Sequence, residues 1–358
     1  VRVLYTYDIF TKQAYGGISR YIMELVKHAP SSIDPRVFAG LHINAYASGK
    51  AVSGLKLRDF PGAGGMRDRI SRTSQAVYSR LTRPDLIHRT YYGPESSGGR
   101  CPVVLTVYDM IHERFPEQYN DSGALTARKL ANCKSADHII AISESTKQDL
   151  IEYFGIPETK IEVIYLAATE SEGRPSLPSA STVNGRPFIL FVGARGGYKN
   201  FDSLLAAFSA SERLRSEVDL VCFGGGAATS TEKQKVNDLG LSSSVHFAGG
   251  DDRQLNLFYK NARLLVYPSL YEGFGLPVLE AMQLGCPVMC HRISSLPEVA
   301  GAAAEYIGPD FTEQLAALVF DESKLAQLRG KGLIQSRTFS WIKCAEETAA
   351  LYKSIAAN

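Results

Sequence analysis

No long hydrophobic run interrupts the 358-residue sequence. Stretches such as Phe188–Val192 and Leu264–Tyr267 fall far short of the roughly 20 apolar residues that a membrane-spanning helix needs. The opening Val1-Arg2-Val3-Leu4-Tyr5 reads as a strand rather than a signal peptide. Cysteine is scarce too: six in a chain of this length do not build a disulfide framework. Cys286 and Cys290 lie four apart with no paired Cys or His cluster, so no zinc site is expected. Buried thiols in a reducing cytoplasm are the expectation. Charge of one sign is also missing. Lys and Arg total 39 against 37 Asp and Glu, a net of +2 that calls for no nucleic acid partner. Residues 1–100, however, carry 15 basic against 7 acidic side chains. Two readings of that bias stand side by side, an anionic partner and an uneven solvated surface.

What is present is an ordinary globular composition, 45% hydrophobic and 21% charged, in a chain long enough for two cores. Short apolar runs alternate with segments of helical period. Residues 1–5, 86–88, 103–108, 138–142 and 161–164 read as strands. Residues 17–28 repeat apolar side chains at helical spacing, and Ser143 offers its hydroxyl as an N-cap. After Ile164 the pattern fails, and residues 169–187 are polar with three prolines, the composition of a linker. Strands then recur at 188–192, 220–223, 245–247, 264–267 and 287–290, with helices at 201–209, 231–239, 252–261 and 279–284. Such alternation predicts two doubly wound, Rossmann-like α/β domains, at 1–170 and 188–339. A linker at 171–187 would join them, and 340–358 would form a last helix. Ligands of these sheets sit beyond the carboxyl ends of the strands, which predicts a site in a central cleft.

Two segments carry candidate chemistry. In Gly193-Ala-Arg195-Gly-Gly-Tyr-Lys199-Asn200 a glycine loop follows a strand and precedes a helix. Close backbone approach, a helix N-terminus and two cations suit a diphosphate, while a glycine turn with two surface cations explains it as well. In Tyr271-Glu272-Gly273-Phe274-Gly275-Leu276-Pro-Val-Leu-Glu280 the glycines bare backbone N–H groups where a helix begins. Glu272 and Glu280 could accept from sugar hydroxyls, or simply be a loop acid and a helix acid beside the macrodipole.

The spacing Glu272-x7-Glu280, its flanks and Ser294-Ser-Leu-Pro-Glu-Val-Ala-Gly301 resemble glycosyltransferase family 4, retaining enzymes of the GT-B fold. Gly16-Gly17 in Tyr-Gly-Gly-Ile-Ser-Arg-Tyr is similar to the family's N-terminal glycine loop. Thr106-Val-Tyr108-Asp109-Met-Ile-His112 is similar to its Thr-Val-His-Asp-Leu-Ile segment. Phe339-Ser-Trp341 resembles the start of a terminal helix that returns to the N-terminal domain. The resemblance implies that Arg195 and Lys199, with Gly193, neutralise a departing nucleoside diphosphate. Glu272 and the amides of Gly273, Phe274, Gly275 and Leu276 would hold the donor sugar and its phosphate. Glu280 would take the ribose, and Gly16 and Gly17 would approach the diphosphate. It implies no metal and no cofactor beyond the nucleotide-sugar co-substrate, and the sequence has no Asp-x-Asp motif.

One departure stands out. Relatives place His where this chain has Tyr108, a poor proton carrier with a reference pKa near ~10. Asp109 or His112 could take over that polar contact, and His112 could equally be a loop residue. His88 reads as a satisfied strand-end histidine, and Gly224-Gly225-Gly226 as either a nucleotide neighbour or a tight turn. Arg58, Arg67, Arg69, Arg72, Arg80 and Arg83 form a basic segment expected to face an anionic membrane with a lipid-linked acceptor. The resemblance thus implies a cytoplasmic, retaining, metal-independent glycosyltransferase in polysaccharide or lipopolysaccharide assembly, peripheral on the inner face of the membrane. A mannosyl GDP-sugar is the first choice of donor and a saccharide or lipid-linked acceptor its partner. A nucleotide-sugar-binding protein without turnover, or another GT-B enzyme, is the rival reading.

Overall fold

The computed structural model describes residues 1–60, 62–93, 101–169 and 185–357. Most of the expected linker, 171–184, therefore lies outside the described residues. Contacts divide the chain into two units, Val1–Leu166 together with Ser340–Asn358, and Ala167–Phe339.

The first unit contains β1 (Arg2–Tyr5), α1 (Gly17–Lys27), β2 (Asp34–His42), β3 (Val52–Lys56), α2 (Gly64–Thr82) and β4 (Leu86–Arg89). It continues with β5 (Val103–Val107), α3 (Ile111–Arg114), α4 (Ser122–Ser135), β6 (His138–Ala141), α5 (Glu144–Phe154) and β7 (Ile161–Val163). Its seven strands are parallel, in the order β3-β2-β1-β4-β5-β6-β7. Order reverses between β1 and β4. Strand β5, Val-Val-Leu-Thr-Val, is apolar but for Thr106 and is buried throughout, as a strand covered on both faces must be. Ser143 caps α5 as expected, accepting from the Thr146 amide at 3.0 Å.

Periodicity does not announce β2, β3 or α2. Strand β2 starts Asp-Pro and is broken by Gly40, where the register against β3 shifts between Phe38 and Gly40. Gly40 has φ 61°, and a Cβ there would lie 2.4 Å from Ser71 Oγ of α2. Ser71 Oγ instead accepts from the Leu41 amide at 3.0 Å, so helix and strand are in close approach. The expected basic segment falls on α2 and its flanks, with one correction. Arg58, Arg69, Arg72, Arg80 and Arg83 are exposed, but Arg67 is buried against Asp59 at 2.7 Å and serves packing.

The second unit contains β8 (Phe188–Val192), α6 (Phe201–Ala210), α7 (Glu212–Glu217), β9 (Asp219–Phe223), α8 (Ser230–Asp238), β10 (Val245–Ala248) and α9 (Asp252–Asn261). Then follow β11 (Leu264–Tyr267), α10 (Leu276–Gln283), β12 (Val288–Cys290), α11 (Leu296–Ala300), β13 (Ala304–Tyr306), α12 (Phe311–Val319) and α13 (Glu322–Ser336). Six parallel strands run β10-β9-β8-β11-β12-β13, reversing between β8 and β11. Phe191, Phe201, Phe208, Leu220 and Leu264 sit in its core. Helix α10 starts at Leu276, three residues before the expected 279, because Gly275 at φ 102° caps it and Pro277 suits a first turn.

The last helix, α14 (Trp341–Ala356), packs within the first unit. Ser340 caps it, and its Tyr352 hydroxyl donates to Tyr5 Oη at 3.2 Å. No helix among the described residues is long and apolar enough to cross a membrane.

Candidate active site

Loops after β8 and β11 bracket the switch point of the second unit, the place where such sheets bind ligands. The first loop closes in a single 3₁₀ turn, Gly197–Lys199, and the Leu270 amide donates to the Tyr198 carbonyl at 2.8 Å, stitching the two loops together. Gly193 opens the first loop at φ 134°, where a side chain would be strained. Lys199 Nζ donates to Glu272 Oε1 at 2.6 Å and to Tyr267 Oη at 2.8 Å. It also lies 5.1 Å from the ring centroids of both Tyr198 and Tyr267. The two charged side chains are only 13% and 10% exposed, so their attraction is little screened. Burial, reinforced by the Glu272 carboxylate, pushes the Tyr267 phenol well above its ordinary range and keeps it neutral.

Glu272 is held from its backbone. Its amide donates to Ser294 Oγ at 2.9 Å, and Ser295 Oγ donates to its carbonyl at 2.8 Å. The chain then passes through Gly273 and Phe274 to Gly275, where a Cβ would come 2.8 Å from Leu296 Cδ2. The Phe274 ring is buried edge-on to Phe339 at 5.7 Å, so what this residue offers a ligand is its backbone. At the start of α10, Pro277 has no N–H and the Val278 amide donates to the Gly275 carbonyl at 3.0 Å, while the positive end of the helix, beginning at Leu276, favours an anion. Glu280 lies just over one turn into α10, half-buried, and accepts from Tyr259 Oη at 3.3 Å.

Arg195, expected with Lys199 at a departing diphosphate, has its donors engaged within the protein. Its Nε donates to Glu232 Oε1 at 2.8 Å. Nη1 donates to the Gly224 carbonyl, and Nη2 reaches the carbonyls of Gly226 at 3.1 Å, Gly225 at 3.3 Å and Ala227 at 3.4 Å. Phe247 covers the guanidinium at 5.1 Å. Glu232 in turn caps α8 through Thr229. Burial pushes Glu232 up, but the donors of Arg195 and Thr229 outweigh it and hold the carboxyl below its ordinary value.

In the first unit, the expected polar residues have unequal fates. Tyr108 is buried, and its hydroxyl donates to the Thr90 carbonyl at 3.1 Å while its ring stands edge-on to Tyr21. The hydroxyl expected to act at the sugar is thus engaged in a core hydrogen bond. Asp109 is half-buried and accepts from the Ile111 amide at 3.1 Å. The His112 ring stacks on Tyr119 at 4.3 Å. Gly16 is extended at φ 170°, with the Gln13 side chain 2.3 Å from where a Cβ would stand, and Gly17 opens α1 in an exposed position. His88 is the satisfied histidine expected, with Nε2 at 2.8 Å from Thr106 Oγ1 and Nδ1 bonded to Tyr352 Oη.

A buried pair escaped sequence reasoning. Lys129 Nζ meets Glu113 Oε2 at 2.6 Å, both side chains at most 2% exposed, and also donates to the Asp109 carbonyl at 3.0 Å. It braces the segment carrying Asp109 and His112. The buried side chains of α4 are Lys129, Asn132 and Cys133, so no apolar periodicity in the sequence marks the face that carries the lysine.

Residues 174–322 match the family model described as Glycosyl transferases group 1, and residues 15–168 match that of Glycosyltransferase Family 4. The O-antigen chain mannosyltransferase B of Escherichia coli is 30% identical over 233 residues, 61% of this chain and 61% of that protein. The serotype-specific mannosyltransferase WbdA of Escherichia coli is 32% identical over 234 residues, 61% of this chain and 29% of that protein. The chain thus spans less than two thirds of either relative. Sucrose-phosphate synthase from Thermosynechococcus elongatus superposes with a TM-score of 0.79 at 17% identity, covering 99% of both chains. That likeness and the two switched parallel sheets give the GT-B fold. Matched by one model in each half, the chain belongs to the group 1, family 4 glycosyltransferases.

Proposed function

We propose that the protein is a retaining, metal-independent glycosyltransferase that moves a hexose, mannose from GDP-mannose in the first instance, to a saccharide or lipid-linked acceptor during cell-surface polysaccharide assembly. The observation that carries this reading is the Lys199–Glu272 pair at the switch point. Without ligand, the ammonium and carboxylate neutralise each other. A diphosphate brought to the first turn of α10 competes for Lys199, and Glu272 is released to accept from sugar hydroxyls. The bond from the anomeric carbon to the phosphate oxygen then breaks while the acceptor hydroxyl oxygen bonds to that carbon on the same face. The departing phosphate oxygen takes the hydroxyl proton, so no protein base is required. Lys199 and the α10 dipole stabilise the charge that develops on the leaving group, work a metal does in other enzymes. Mannose is favoured because both relatives above are named as mannosyltransferases. The commitment of Tyr108 to Thr90 favours the rival reading, binding without turnover, and turnover separates the two.

The test is a panel of nucleotide sugars, scored for thermal stabilisation and for metal-free transfer or slow hydrolysis. One donor is expected to stabilise the protein and to turn over, with Lys199→Ala and Glu272→Gln each lowering kcat by about 10²–10³-fold. Stabilisation with no turnover on any acceptor would leave a binding protein, and no stabilisation by any donor would remove the reading.

The acceptor side is proposed to meet an anionic membrane through α2, on the cytoplasmic face. Met66, Ile70, Val77 and Leu81 recur along one stripe of that helix, 43–78% exposed, beside the exposed Arg69, Arg72 and Arg80. Apolar and basic stripes side by side suit a helix lying in the headgroup region. Co-sedimentation with phosphatidylglycerol vesicles, absent with phosphatidylcholine, is expected, and R69E/R72E/R80E should abolish it. Equal binding by that variant would overturn the contact.

A further inference from the structure

The five N–H donors of a guanidinium are a fixed fork, and in Arg195 the fork is spent inside the protein. Three glycines in succession, Gly224, Gly225 and Gly226, have φ of 95°, 71° and 75°. This left-handed run turns their carbonyls toward one point, which Arg195 fills, reaching the Ala227 carbonyl as well. A Cβ on Gly225 would come 2.8 Å from Arg195 Nη1 and 3.1 Å from the Gly193 carbonyl. Glu232 closes the arrangement, since it accepts from Arg195 and, at 2.7 Å, from the Thr229 amide that ends the loop. The loop follows β9, the strand beside β8, so it walls the switch point on the side opposite Glu272.

We infer that Arg195 is a positioning residue: it locks the loop 224–229 through Glu232 and four carbonyls, and so shapes the wall against which the nucleotide part of the donor rests. This rests on the proposed function above. A free cation acting on the leaving group would be needed most in the transition state and would control kcat. A latch acts on binding, equally in ground and transition states, and controls KM. Lysine keeps the charge at this position but cannot span four carbonyls and a carboxylate.

Two measurements test the assignment. Hydrogen exchange of the unliganded protein should show the amides of 225–229 exchanging at least tenfold faster in Arg195→Lys and in Glu232→Gln, with the strands of both sheets unchanged. Exchange as slow as in the wild type would overturn the latch, whatever the donor proves to be. In steady-state assays with the donor found by the panel, both variants should raise the donor KM about tenfold and leave kcat within about threefold. Loss of kcat with unchanged KM in Arg195→Lys, and no effect of Glu232→Gln, would return Arg195 to the leaving group. If no donor exists, the exchange result stands alone and only the underlying function has failed.

Discussion

The imidazole of His88 lies between Thr106 and Tyr352 with both nitrogens in contact with hydroxyls, and burial pushes its pKa from 6.5 down to about 3. Between those values the unfolded chain binds a proton that the folded chain refuses, so stability falls as pH drops from about 6.5 toward 3. Urea unfolding across that range should show His88→Gln with a shallower pH dependence than the wild type, and parallel profiles would refute the argument. The Lys129–Glu113 pair gives a second prediction at this scale. Lys129→Met strands a buried carboxylate and should cost about 3–5 kcal/mol, whereas Lys129→Met with Glu113→Leu should recover most of it. Denaturant midpoints of the single and double variants decide this.

Helix α2 and strand β2 are held together by the absence of a side chain at Gly40. Gly40→Ala meets Ser71 Oγ and also strains a left-handed residue, so a loss of about 2–3 kcal/mol is expected. Gly49→Ala is the control, because φ is 102° there but nothing lies within 4 Å, and strain of about 1 kcal/mol should be its whole cost. Equal melting temperatures for the two variants would show that the close approach costs nothing. These elements also mark where sequence reading failed. The buried strands β8 and β11 are legible as unbroken apolar runs, β5 as a run interrupted only by Thr106, and α1 as a clean helical stripe. Strand β2 carries its own breakers, Pro35 and Gly40, while α2 points its large apolar side chains outward, so its periodicity does not report its buried face. In the site, Lys199 and Glu272 could be found because each sits in a glycine-rich loop next to an obvious strand. The partners of Arg195 could not, because four of them are backbone carbonyls, which leave no trace in side-chain identity.

At the scale of the molecule, the first unit owns both ends of the described chain, and the second is inserted into it. Removing residues 340–358 should therefore lower the melting of the first unit and spare the second. Hydrogen exchange would show the loss confined to the seven-stranded sheet, and a loss spread over both sheets would contradict the division. Trp341 and Tyr352, packed on Tyr21, Tyr5 and His88, are what that deletion removes. The same arrangement orders synthesis. A ribosome releases β1 early and Tyr352 only after the whole second unit has emerged. The unit begun first is thus the unit finished last, and its nascent sheet must wait with the Tyr5 and His88 side chains uncovered. Meanwhile residues 167–339 already have every segment needed to close their own core.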